Sequence, residues 1–161
     1  MIQENNFVPS SIKEGKIIHG VLAVVAVAGA FVQQKGNAAN AQDAKLLELA
    51  TGGKAYALVR DVVADDADTK LARFVHGGVL EQPYIVSQSE CSAQKLDVAE
   101  FEGTGLLDAS ITDAVTATTE VTIKAGKIAL IDADQEPCGV ISRQLTPANG
   151  GAVRIEVSFF H

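Results

Sequence analysis

The sequence predicts an all-β fold, and three observations carry that prediction. Toward the C-terminus, Val153, Ile155, Val157 and Phe159 alternate with Arg154, Glu156 and Ser158, the period-two pattern of a strand with one buried face. Between Glu120 and Ile131, Val121-Thr122-Ile123-Lys124 and Lys127-Ile128-Ala129-Leu130 flank Ala125-Gly126. That is two short strands around a two-residue turn with glycine second. Finally, 14 glycines punctuate many short apolar runs, and no stretch makes a convincing helix, residues 41–50 being the most helix-compatible.

The hairpin also has a predicted register. Ile123 faces Ile128 and Val121 faces Leu130, which makes one face uniformly apolar and leaves Lys124 beside Lys127. A shift of one residue would turn half of those apolar side chains outward. Composition sets the remaining bounds. A chain of 161 residues is most simply one domain and buries enough surface to need no metal or disulfide staple. With 47% hydrophobic but only 5% aromatic residues and no Trp, its core is expected to be mainly Val, Ile, Leu and Ala. Small side chains leave a modest margin, to which oligomerisation would add. A net charge of −7 speaks against a nucleic-acid partner, which wants a basic face.

In chain order, residues 1–14 are polar around Pro9-Ser10-Ser11, with Phe7 the one aromatic. They read as an extended N-terminal arm, dispensable for folding and ordered against a neighbouring subunit, followed by a single β-rich domain over 15–161. Phe7, Val8, Pro9 and Ile12 are the arm's candidate contact residues; proline there lowers the entropy lost on binding. Ile17 to Val32 is mostly apolar, and Ala38-Ala39-Asn40-Ala41 follows, which together resemble a secretory signal. Against that, Glu4 and Glu14 offset Lys13 and Lys16, and His19, Gly20 and Gly29 interrupt the run. It is also shorter than the roughly 20 residues that span a bilayer. A core β-segment is the expectation, and no membrane partner.

Residues 41–50 fit a helix capped by Asn40 and stopped at Gly52-Gly53, or a strand, to which the reading leans. Lys54 to Val63 reads as a strand. Asp65, Asp66 and Asp68 in the loop after it lack the ligand spacing of a calcium loop, so a solvated turn is expected and no metal. Leu96, Val98 and Phe101 alternate with charged residues, as in an amphipathic strand on an exposed sheet. Residues 103–119 read as a loop with at most a short element near Leu106-Leu107. No internal repeat is visible, which argues against a solenoid or propeller.

The search for chemistry is nearly empty. None of the common nucleophile, zinc, phosphate-loop or dinucleotide motifs occurs. The histidines are His19, His76 and His161. A pair such as Cys91 with His76 needs only to meet in space, but structural roles are the expectation, with no enzymatic activity, catalytic residue or cofactor. Cys91 and Cys138 have no paired spacing; sequence leaves a disulfide open, and two separate buried thiols are expected.

Several stretches together resemble the head decoration (capsid cement) proteins of tailed bacteriophages. Ala28-Gly29-Ala30-Phe31-Val32 is similar to one family segment, and Thr51-Gly52-Gly53 followed by Leu58-Val59-Arg60-Asp61-Val62 to another. Gly126-Lys127, Gly139-Val140 and Gly151 to Val157 are similar to the family's last third. The resemblance implies a compact β-sandwich or barrel-like domain of the β-tulip kind. It implies a homotrimer (a dimer is the rival) that binds the assembled shell of major capsid protein and stabilises it, with no cofactor. Such a virion protein is made in the host cytoplasm and sits on the outer surface of the head. The chain departs from the smallest members in a longer middle, residues 81–118, expected as an extra lobe. Two other classes remain: a secreted or periplasmic adhesin-like β-domain, and a small-ligand-binding β-barrel.

Overall fold

The computed structural model describes residues 5–22, 24–34, 46–52, 56–62, 71–72, 75–76, 79–80, 84–85, 90–132 and 134–160. Every regular element among them is a strand. In chain order these are β1 (Asn6–Leu22), β2 (Val32–Gln34), β3 (Leu46–Leu49), β4 (Tyr56–Leu58), β5 (Leu71–Ala72), β6 (Val75–His76), β7 (Val79–Leu80), β8 (Tyr84–Ile85), β9 (Glu90–Glu102), β10 (Glu120–Lys124), β11 (Lys127–Leu130), β12 (Gly139–Leu145) and β13 (Arg154–Phe159). The all-β expectation holds. At 46–49 the strand reading holds too, while residues 41–45 and the acidic 64–69 segment lie outside the described residues.

Nine strands form one sheet in the order β11-β10-β12-β13-β9-β1-β3-β2, with β4 also on β9. All the pairings are antiparallel except β1 with β3. β9 is the organising strand. One of its edges is taken by β1, from Asn6↔Glu102 to Val21↔Glu90. Its other edge is shared by β13, at residues 98–102, and β4, at residues 93–95. This corrects two expectations. Residues 90–118 of the supposed extra lobe include the centre of the sheet and the buried Leu106, Leu107, Ile111 and Val115. Among the described residues, β5 with β8 and β6 with β7 form two further two-stranded sheets.

The second correction concerns the arm. From Asn6 onward it is part of β1, without a break at residue 14. Phe7 pairs with Phe101, and their ring centroids lie 5.5 Å apart. The signal-like run is likewise partly strand: Ile17 to Leu22 complete β1, and Val32 opens β2.

The barrel-like expectation also needs correction, because the ladder path ends at β11 and at β2 without closing. Local contacts tie those ends in. The β10–β11 tip is bonded to residues near β2 and β3: Phe31 N–H donates to Gly126 O at 2.9 Å, Gly126 N–H to Ala50 O at 2.8 Å, and Gly52 N–H to Ile123 O at 2.7 Å. The outer edge of β11 is covered by 106–110, with Ile128 N–H donating to Leu106 O and Leu130 N–H to Ser110 Oγ. The hairpin register is the predicted one, Val121↔Leu130 and Ile123↔Ile128. Ala125 and Gly126 both have positive φ, 48° and 80°, as a type I′ turn requires.

Among the described residues, two apolar clusters form the core. The larger gathers Phe31, Phe101, Phe159, Leu96, Leu106, Ile123, Ile128, Ile141, Ile155 and Val157; the smaller gathers Leu22, Val32, Leu47, Leu58 and Val62. Val153, Ile155, Val157 and Phe159 are buried together, as the alternation predicts. The composition, however, understates the aromatic share. Phe31 lies 5.6 Å from both Phe101 and Phe159, centroid to centroid, so with Phe7 four of the six phenylalanines form one connected group.

Candidate functional site

The feature best suited to a partner is the outer edge of β1. Its inner edge is bonded to β9, while on the outer side only Val21 and Leu22 are paired, with Leu46 and Leu47 of β3. From Asn6 to Gly20, no described strand lies against that edge. A free edge is a row of backbone donors and acceptors and a template for another strand. Pro9, paired with Ala99, suits such a position, because proline has no N–H to give to a second neighbour.

The side chains follow the same division. Phe7 is turned into the chain's own core, which leaves Val8, Pro9 and Ile12 as the exposed members of the predicted contact set. Val8 and Ile12 are 40% and 46% exposed. Sequence reasoning missed Ile17, 52% exposed on the same strand; the apolar run from Ile17 to Val32 gave no sign that its first residue faces water. Between Ile12↔Leu96 and Ile17↔Gln94, β1 advances five positions against two on β9, so residues 13–16 form a bulge. Lys13 and Lys16 are exposed there. Bulges and edge lysines are features that blunt indiscriminate strand pairing.

Other places offer less. A cleft of about 230 Å³ is lined by Gly103, Leu107, Asp108, Ile111, Lys127 and Val153 among others, below the ~300–1,000 Å³ usual for small-molecule sites. The Asp108 carboxylate beside it accepts the Ser110 N–H at 3.0 Å, and that bond holds its pKa below the usual range. Cys91 and Cys138 are both free thiols. Burial pushes Cys138 up to about 12 and also raises Cys91, the opposite of an activated nucleophile. Among the described residues no group of His, Cys, Asp and Glu is arranged to hold a metal ion, and no helix is long and apolar enough to cross a membrane.

Comparison with protein-family models, with curated proteins and with solved structures returns no match.

Proposed function

We propose that this chain is a structural cement protein that binds the assembled major capsid protein shell of a tailed phage from outside and stabilises it. The packing is then of the β-tulip kind, and the working unit a homotrimer, with a dimer as rival. The observation that carries the reading is the outer edge of β1: at least fifteen residues of strand without a described neighbour, presenting Val8, Ile12 and Ile17 to solvent. The sequence resemblance supplies the identity of the partner. Full burial of such a side chain contributes at most about 1.5–3 kcal/mol, so a single edge binds weakly. Several copies engaging one shell at once multiply that affinity without any new contact.

The test is addition to shells. Purified protein mixed with expanded, undecorated phage capsids should co-sediment with them and raise their resistance to heat. The double variant Val8→Lys/Ile12→Lys should keep its melting temperature and lose co-sedimentation. Wild-type protein that ignores the shells, or a double variant that binds as well as wild type, overturns the reading.

A further inference from the structure

Glu102 is the last residue of β9, and none of its surface is exposed. Its carboxylate lies under the loop joining β12 to β13. Oε1 accepts the Ala148 N–H at 2.8 Å, and Oε2 accepts those of Asn149 and Gly151 at 3.0 Å each. Three backbone N–H groups converging on one anion, with Gly150 between them at φ +77°, make a backbone nest, an arrangement that elsewhere holds phosphates and other anions. Residue 151 has to be glycine for this, because a Cβ there would lie 2.8 Å from Oε2.

We infer that residues 148–151 form an anion-binding cradle whose occupant is the protein's own Glu102 carboxylate. The cradle opens when that charge is lost and accepts a free small carboxylate in its place. The neighbours make Glu102 the controlling group. Residues 146–151 and 103–105 contain no ionisable side chain, and the β1 partner Asn6 is neutral. On β13, the cross-strand partner Arg154 is bonded to Glu100 rather than to Glu102. Protonating Glu102 puts a hydrogen where N–H groups converge and removes the charge they serve, and an unserved buried donor is costly. Ala152 and Val153, which follow the cradle, line the cleft beside Asp108 and Lys127, so the cradle also holds one wall of that cleft.

Amide hydrogen exchange followed residue by residue on the full chain tests this. In wild type the Ala148, Asn149 and Gly151 amides should be protected at neutral pH. In Glu102→Ala they should exchange at least roughly tenfold faster, and excess sodium formate should restore protection where sodium chloride at equal ionic strength does not. Amides that stay protected in the variant without formate, or stay open with it, overturn the inference. Should Glu102→Ala not fold, Glu102→Gln serves, since the amide keeps the shape but offers one acceptor oxygen and no charge. Its three amides should have lower protection factors than wild type at neutral pH, and those factors, taken relative to the intrinsic rate at each pH, should not fall further on acidification. Wild-type protection, or an acid dependence like that of wild type, counts against the cradle.

Discussion

The ring of Phe7 stands where a side chain on Gly29 would have to go: a Cβ at residue 29 would lie 2.6 Å from Cγ of Phe7. Gly29 also has a φ of +91°, and its N–H donates to Leu58 O at 2.9 Å. One contact therefore joins the start of β1 to the segment leading into β2 and to β4. Gly29→Ala should destabilise by about 1–2 kcal/mol from the backbone conformation and roughly 1–3 kcal/mol more from overpacking. Chemical denaturation gives the sum. If the clash is the cause, Phe7→Leu in the Gly29→Ala background should recover part of the loss.

Among the described residues, two other than glycine hold positive φ, Thr118 at 73° and Ala125 at 48°. Both are exposed, so substitution there leaves the core untouched. Thr118 is the more strained, because a β-branched side chain rarely adopts this conformation, yet its N–H is fixed on Ile141 O at 2.8 Å. Thr118→Gly and Ala125→Asn should each stabilise by about 0.5–1 kcal/mol, since asparagine-glycine is a preferred type I′ pair. That corresponds to a rise of about 1–4 °C in melting temperature for a domain of this size. A fall in either variant would mean that the side chain present now makes a contact worth more than the strain.

What could be read from the sequence was local. The β10–β11 register follows from Val121, Ile123, Ile128 and Leu130 and a two-residue turn, all within eleven positions. The buried face of β13 follows from strict alternation. β9 escapes that rule because its buried apolar positions fall at 93, 96, 99 and 101, followed by the buried Glu102. The register shifts against β1 between Pro9 and Ile17 break the period along with it. The aromatic group was equally hidden: Phe7, Phe31, Phe101 and Phe159 are brought together by sheet topology, with no pattern along the chain. For the candidate site, Val8 and Ile12 could be picked out as apolar residues in a polar segment. Which of Phe7 and Val8 points outward depends on the register with β9.

Acid should weaken the fold through identifiable carboxylates. Burial alone would push Glu102 up, but its three backbone donors and the Arg154 charge outweigh it and hold the pKa below the usual value of 4.5. The Arg143 guanidinium, 3.0 Å away, holds Glu156 down in the same way. Groups depressed in the folded state contribute stability that is present above their unfolded values and lost as pH falls through the folded ones. Urea midpoints should therefore be flat near neutrality and drop below about pH 4.5. Glu102→Gln should lower the neutral midpoint and flatten the acid limb; an unchanged limb would assign the acid sensitivity elsewhere.

The two thiols should behave as separate, sluggish groups. Cys138 is buried, with its pKa pushed up to about 12, so almost none is thiolate at pH 8. Cys91 is half-buried and raised less. A disulfide-exchange reagent should modify Cys91 first, and Cys138 only at the rate of unfolding. Mass analysis under oxidising conditions should find no Cys91–Cys138 bond. Equal rates, or a bridged product, would contradict the arrangement.

The outer edge of β1 calls for a different kind of variant from its inner side. Removing residues 2–14 takes away Phe7, which packs on Phe101, and the ladder from Asn6↔Glu102 to Ile12↔Leu96. That leaves half of β9 with an unpaired edge and opens the aromatic group. Phe7 is half-buried, so its loss costs part of the about 3–5 kcal/mol of a fully buried phenylalanine, to which the lost ladder adds, against the roughly 5–15 kcal/mol that holds a domain together. The truncated chain should therefore melt far lower or fail to fold, and its failure to bind shells would carry no information about the edge. Substituting Ile17→Lys beside Lys13 and Lys16 changes only the solvent side of the strand. Its effect on stability should stay within about 0.5 kcal/mol, while shell addition falls and becomes more sensitive to salt. A truncated chain that melts like wild type would detach β1 from the core and return the segment to the status of a free arm.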